Sequence, residues 1–521
     1  MKQVTLLYTL ATPALVRSEY TVARSVKSNE VFDGYSVSVC QNIGRLIGTK
    51  PYIRVGGNTQ DYALYDASLP YALNGTFDPA RSADYPTTIS IGPSYFESYD
   101  TWSHVKFSHG FNLGLGGNRS SGWQTLLDTV PLACKALGGG KLYVWTYGNE
   151  PDLYSTSAQG PVRPPDWSES AYVSQWYNGT RAIKTLLEEH CPEFATEHTY
   201  GYMAPSFAGV GNRLKAPAAW AAGLKDEKSI KLFSTHNYIS GAASPGVTLQ
   251  GTLMNHAVTK RSVDAHVTEY NTILSSSSSS FSSPVPPLIF GETNSLYNQG
   301  RPGLSNTFGA ALWGVDFNLY AAAAGFKRVH MHMGTNYRYA AWQPVTTALT
   351  TVGTKAPYYG SIAVAAALGA LPATVVEIPL SSSSSSSDLL LLPESAYAIY
   401  SPTPSHLARL AILNMRSYNT TLDGAGLVPL STPPPRGQVE YAFRLEGVAP
   451  GREVAVRRLW ANGSDAITGI TWDGWSYNWE LARGRPVRLG NVTVGERVVV
   501  GEGGVVRVAV ADASAAVLEL I

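Results

Sequence analysis

Two glutamates, Glu150 and Glu292, stand where a carboxylic acid can do chemistry. Each follows an apolar, β-type run and opens a Gly-marked loop. Leu142-Tyr143-Val144-Trp145-Thr146-Tyr147 leads into Gly148-Asn149-Glu150-Pro151-Asp152, and Pro287-Leu288-Ile289-Phe290 leads into Gly291-Glu292-Thr293-Asn294. A carboxyl group at the end of a buried strand faces a ligand yet is held by a rigid element. Gly, Asn, Pro and Asp are turn residues, so either stretch alone also reads as a strand followed by a turn. Two stretches of one form, far apart in sequence, carry more. One acid to protonate a leaving oxygen and one carboxylate to attack the carbon is the equipment for splitting a glycosidic bond.

Positioning such a pair requires a scaffold of strand ends, and the text before residue 357 supplies one. Strands are expected at Gly34 to Val39, Tyr52 to Val55, Lys106 to Leu113, Leu142 to Tyr147, His198 to Tyr202, Ile230 to His236, Leu288 to Phe290 and Arg328 to Met333. Helical patterns lie between them: Trp123 to Leu137, Glu169 to His190, Ala216 to Gly223, Gly251 to Ile273 and Gly309 to Ala324. Strand–helix alternation of this kind predicts an α/β fold, a (β/α)8 TIM barrel over residues 30–357 with its site at the C-terminal ends of the strands. No G-x-G-x-x-G follows any strand, which argues against an open dinucleotide-binding sheet. From residue 358 to 521 short β-branched runs are separated by Gly, Pro and Asn turns, predicting a C-terminal antiparallel β-sandwich that a strand from residues 1–29 could join. Serine runs at Ser275 to Ser280 and Ser381 to Ser387 carry no packing information and read as surface loops.

Composition narrows the function classes. With 15% charged residues and a formal net charge of +1, the 521-residue chain has neither a nucleic-acid footprint nor a polybasic membrane anchor. No segment is apolar for the length that a membrane span needs. Three cysteines, Cys40, Cys134 and Cys191, permit at most one internal disulfide. Sequons at Asn74, Asn118, Asn178, Asn419, Asn462 and Asn491 favour a secreted protein. The start, Met1-Lys2 and then Leu6-Leu7-Tyr8-Thr9-Leu10-Ala11, resembles a short or truncated signal peptide. His330 and His332 share a strand face, but no third ligand stands at a recognisable spacing, so neither a metal nor another cofactor is expected.

Beyond the paired glutamates, longer stretches carry a family resemblance. Arg54-Val55-Gly56-Gly57-Asn58-Thr59-Gln60-Asp61, Tyr147-Gly148-Asn149-Glu150-Pro151-Asp152, Phe290-Gly291-Glu292-Thr293-Asn294-Ser295-Leu296-Tyr297-Asn298-Gln299-Gly300 and Gly334-Thr335-Asn336-Tyr337-Arg338-Tyr339 resemble glycoside hydrolase family 79, which contains β-glucuronidases and heparanases. The likeness spans roughly residues 51–357 and continues more loosely beyond. It implies a retaining mechanism, with Glu150 as acid/base and Glu292 as nucleophile. Asn149 and Asn58 would lie at the sugar, Tyr238 would hold the nucleophile, and Tyr297, Asn298 and Gln299, with Tyr337 nearby, would bind a uronate carboxylate. The family's heparanases have a glycine-rich loop where this chain has Asn298-Gln299-Gly300, which leaves its backbone geometry open.

The implied substrate is a carbohydrate ending in β-linked glucuronic acid or its 4-O-methyl form, cleaved in exo fashion. Endo-acting, heparanase-like hydrolysis is the alternative enzyme. A carbohydrate-binding pseudoenzyme is the alternative from another class, because Tyr35-Ser36-Val37-Ser38-Val39 runs almost directly into Gln41-Asn42-Ile43-Gly44-Arg45-Leu46, with no room for the family's loop after the first strand.

Overall fold

The computed structural model describes residues 30–520 apart from 158–159, 227, 278–284, 370–371, 381–390 and 402–405. The strand suggested for residues 1–29 and the second serine run lie outside that set, while Ser275 to Ser277 continue a helix.

Seven parallel strands form one sheet in chain order: β1 (Ile53–Val55), β2 (Phe107–Phe111), β3 (Leu142–Tyr147), β4 (Tyr202–Phe207), β5 (Ile230–Gly241), β6 (Leu288–Tyr297) and β7 (Val329–Met331). Helices α2 (Ser120–Ala136), α3 (Glu169–His190), α4 (Ala216–Ala221), α5 (His256–Ser277) and α6 (Phe308–Ala323) cross between successive strands from β2 onward. Helix α3 illustrates why they form. Ser168 caps it by accepting from the Ala171 N–H, and Tyr172, Trp176, Ile183 and Leu187 recur on one buried stripe. Strand alternation divides the interior. Val144, Met203, Leu232 and Ile289 make a small apolar cluster of their own, while their neighbours Trp145, Ala204, Phe233 and Phe290 join the larger core. The two end strands are not hydrogen-bonded to each other. Side chains close the gap instead: the Arg328 guanidinium lies 3.7 Å from the Tyr52 ring centre, and Gly57 backs onto His332.

The strand expected at Gly34 to Val39 belongs to helix α1 (Glu30–Ile47). The five-residue alternation misled because Val39 starts a different period: Val39, Ile43 and Leu46 recur at helical spacing and pack on the core. Asn42 reaches Tyr358 of α7 (Ala356–Leu368). The abrupt strand-to-helix connection is thus one continuous helix, so these residues are not the first barrel strand, and the barrel sheet of the described residues begins at β1. Helix α7 also runs across residue 357, where the text changes to strands, and it packs against α1 and α6.

Beyond α7, β8 (Thr374–Glu377), β9 (Glu394–Tyr400), β10 (Leu407–Asn414), β12 (Glu453–Trp460) and β14 (Ser514–Glu519) lie in an antiparallel sheet of nine strands, and β11 (Gln438–Arg444) pairs β13 (Val505–Ala511) in a second layer. Both faces of the larger sheet are buried. Ala396, Ala398, Leu410, Ile412, Ala516 and Leu518 meet the second layer, while Tyr397, Ile399, Ala411, Leu413, Ala515 and Val517 join the core that continues into the barrel. A period of two split between two cores is how a sandwich is welded to a barrel. Cys134 and Cys191 form a disulfide, and Cys40 is free and buried. No helix among the described residues is long and apolar enough to cross a membrane.

Candidate active site

The strands carry a polar layer at their C-terminal ends. Backbone shape places the first carboxylate: Gly148 (φ +85) and Glu150 (φ +50) turn the chain after β3 through the left-handed region. Buried Asp61 braces that turn. One of its oxygens accepts from the Leu113 and Gly114 N–H groups at 3.0 Å each, and the other accepts from the Asn149 N–H at 2.8 Å and the Tyr154 hydroxyl at 2.7 Å. Four donors on one buried carboxylate tie the segments after β1, β2 and β3 into one unit.

Glu292 sits inside β6, because the strand runs seven residues past the expected end at Phe290, to Tyr297. Its two oxygens have different partners. Oε2 accepts from Arg54 Nη1 at 2.7 Å and Oε1 from the Tyr238 hydroxyl at 2.6 Å, with His332 Nδ1 3.6 Å from Oε2. Arg54 Nη2 donates to Asn149 Oδ1 at 2.6 Å, and Asn149 Nδ2 donates to Asn58 Oδ1 at 2.8 Å. Glu150 Oε1 lies 3.0 Å from His236 Nδ1. An oxygen of Glu150 and one of Glu292 come within 4.8 Å of each other. Together with His236 they could offer three ligand atoms to a cation, but Arg54 and Tyr238 already occupy Glu292. Gly57 (φ +109) passes close by, and a β-carbon there would stand 3.2 Å from His332 and 3.8 Å from Glu292 Oε2.

The two carboxyl groups are biased in opposite directions. Burial, and then the charge of Glu292, push Glu150 up to about 8 although Arg54 pulls the other way. Burial also opposes ionisation of Glu292, but His332 and His236, charged in the acid range where it titrates, with Arg54 and the Tyr238 hydroxyl, outweigh it and hold that carboxyl well below the usual range. Burial keeps His236 neutral, its value lowered to about 3, and also lowers His332. Arg54 is therefore the fixed cation of the cluster.

Of the residues expected at the site, Tyr238, Glu292, Asn149 and Asn58 are linked by hydrogen bonds through Arg54, and Glu150 stands beside them, bonded to His236. Tyr337 stands beside it, its ring 5.9 Å from His332 and 5.5 Å from Tyr339. Tyr297, Asn298 and Gln299 lie at the rim. The Tyr297 side chain is 48% exposed and lies over Gly241, where a β-carbon would come within 2.5 Å of its ring. Asn298 (φ +62), Gln299 (φ +62) and Gly300 (φ +76) are left-handed in succession, so the loop takes this shape with only one glycine. Arg54, Asp61, His236, His332 and Tyr339 were not among the expected site residues. His236 had a signal: it is two residues before Tyr238, hence on the same strand face. Thr235, between expected faces, bonds to His266 of α5 instead.

A barrel of alternating strands and helices with paired, oppositely biased carboxyl groups at its mouth defines a glycoside hydrolase. The glycosyl hydrolase family 79 C-terminal beta domain matches residues 396–517. A beta-glucuronidase of Neurospora crassa is 65% identical over 483 residues, covering 90% of this chain and 85% of that protein. A beta-glucuronidase of Aspergillus niger is 52% identical over 490 residues, covering 93% and 86%. The chain belongs to glycosyl hydrolase family 79. Among solved structures, a 4-O-alpha-L-rhamnosyl-beta-D-glucuronidase from Fusarium oxysporum 12S matches with a TM-score of 0.71 at 23% identity, over 95% of this chain and 93% of that one. A family 51 alpha-L-arabinofuranosidase from Bifidobacterium longum matches at 0.57 and 12%, over 96% and 93%. These two likenesses concern the fold.

Proposed function

We propose that the protein is a retaining, exo-acting β-glucuronidase that releases terminal β-linked glucuronic acid, or its 4-O-methyl form, from a glycan. The observation that carries the mechanism is the carboxyl pair, with oxygens within 4.8 Å of each other. Retaining enzymes hold their carboxyl groups about 5–5.5 Å apart, against about 6.5–9.5 Å for inverting ones. The two close relatives named beta-glucuronidase support the substrate class.

In the first step ionised Glu292 attacks the anomeric carbon as the bond to the leaving oxygen breaks, and Glu150 gives that oxygen its proton. The product is a glycosyl ester on Glu292 and a carboxylate on Glu150. Glu150 then takes a proton from water, whose oxygen attacks the anomeric carbon, and Glu292 leaves. Electrostatics switch Glu150 between these duties. Part of its high value comes from the charge of Glu292, and that charge vanishes in the ester, so Glu150 falls toward the value of a base. Asn149 is held at both ends of its amide by Arg54 and Asn58, which leaves its second Nδ2 proton for the sugar 2-hydroxyl.

The uronate carboxylate is assigned to the loop at Tyr297. Among the described residues the Asn298 and Gln299 N–H groups have no protein acceptor, and free N–H groups in a tight left-handed turn suit an anion. Secretion is supported by the exposure of all six sequon asparagines and by the disulfide.

The test is turnover of an aryl β-glucuronide, with the first-formed product anomer followed by proton NMR. The β-anomer is expected first, and a mechanism-based 2-fluoro glucuronide should label Glu292. First release of the α-anomer would establish inversion, and absence of turnover would leave a binding protein.

A further inference from the structure

We infer that Arg338 is a positioning residue for acid specificity, setting the shape of the uronate-binding loop through a bidentate pair with Asp84. The inference rests on the assignment of the uronate to Asn298 and Gln299.

Each peptide of the loop can be followed in turn. The Tyr297 carbonyl accepts from the Ala242 N–H at 3.0 Å, which fixes the peptide carrying the Asn298 N–H. The Gln299 carbonyl accepts from the Arg338 N–H at 2.8 Å, while the Gly300 N–H of that peptide donates to Leu296 at 3.1 Å. The Gly300 carbonyl accepts from Arg338 Nε at 3.2 Å, and the Arg301 N–H beyond it donates to Ser305 Oγ at 3.1 Å. Two successive peptides are thus pinned at both ends, and Arg338 supplies a donor to each. The N–H groups that remain are those of Asn298 and Gln299, the last two before the pinned pair.

Arg338 is itself held from the far side. Nη1 and Nη2 donate to Asp84 Oδ1 and Oδ2 at 2.6 and 2.7 Å, and Nη1 lies 3.3 Å from the Asn336 carbonyl. A planar fork can grip a carboxylate with one edge and a carbonyl with Nε, and an ammonium cannot do both. Asp84 comes from the segment joining the strands Leu73–Thr76 and Thr88–Ile91, on the β1–β2 side of the barrel. The clamp therefore spans the mouth between loops that share no strand. Left-handed Asn298 and Gln299 are strained positions that need such over-determination to persist. Lys355 adds to the arrangement: its Nζ donates to the Tyr337 carbonyl at 2.7 Å, so two cations and one carboxylate stand behind the loop.

The experiment compares wild type, Arg338→Lys, Arg338→Gln and Asp84→Asn by the Ki of a glucuronate-configured and a glucose-configured imino sugar, with kcat and KM on an aryl β-glucuronide. Each variant should weaken the acidic inhibitor about tenfold and the neutral one less than about twofold, with the loss on substrate mainly in KM. Arg338→Lys should not rescue. Equal weakening of both inhibitors, or wild-type behaviour of Arg338→Lys, overturns the clamp. If Arg338 variants lower Tm so far that they cannot be assayed, Asp84→Asn decides alone, since it keeps the side-chain shape. A wild type that binds both inhibitors equally overturns the uronate-loop assignment itself, whereas acid preference retained in every variant overturns only the role of Arg338.

Discussion

Two buried histidines, each beside carboxyl groups, behave in opposite ways. At the barrel mouth His236 meets Glu150 through Nδ1, while Nε2 has no partner among the described residues; burial lowers it to about 3. At the junction with the sandwich, His256 of α5 places Nδ1 3.0 Å from Asp316 of α6 and Nε2 3.0 Å from Glu377 of β8. Burial opposes its charge too, but Asp316 and Glu377 outweigh that and raise it to about 10. At His236 burial wins because Arg54 opposes the pull of Glu292, whereas Asp316 and Glu377 act together on His256. His236 meets Glu150, which burial and Glu292 push up, and His256 meets two carboxylates that Tyr397 and Lys260 also stabilise. On the proposed function the first cluster moves a proton, while the second keeps one.

The largest effect should come from the proposed nucleophile. Glu292→Gln should lower kcat/KM on an aryl glucuronide by at least about 10⁴-fold. Retention of a tenth of the activity would mean that the mouth cluster is not the reacting one.

His256→Gln should do the reverse. Removing one member of a buried ion group costs about 3–5 kcal/mol, read as a fall in Tm, while kcat/KM at 25 °C stays within about twofold. A raised value gives stability that is fully present below the unfolded value near 6.5 and lost as pH rises through about 10. Asp316, held below its ordinary value by His256 despite burial, contributes stability that is lost on acidification. Alkaline loss of Tm between those two values should therefore flatten in His256→Gln. An unchanged alkaline slope would remove the junction from the comparison.

A smaller effect is expected at the rim. Tyr297→Phe should cost about tenfold in kcat/KM on the acid substrate, the worth of one donor to a carboxylate. Because that side chain is half exposed, a loss below twofold would shift recognition to the backbone and Tyr337.

Much of this was legible in the text because apolar runs ending in Gly-Glu report a buried strand and its exposed end together. What was not legible has physical causes. Gly34 to Val39 is too short a window to separate a period of two from the helical stripe that Val39 begins. The length of β6 was hidden by its composition: Glu292, Thr293, Asn294 and Ser295 look like a turn, yet all are buried. Thr293 is satisfied by the Asn237 carbonyl and Asn294 by that of His332. Arg54 and His236 could be read as strand residues, but not as partners of particular carboxylates. Those pairings arise only when strands separated by more than 80 residues curve into one ring.

The split protonation of Glu150 and Glu292 is tested most directly by following the Glu150 carboxyl carbon through a pH titration by ¹³C NMR, in wild type and in Glu292→Gln. In wild type Glu150 should titrate near 8, and in Glu292→Gln its midpoint should fall, because burial remains but the neighbouring charge is gone. A wild-type midpoint in the ordinary range of about 4–5, or one that does not move in the variant, would contradict the assignment of Glu150 as the proton donor.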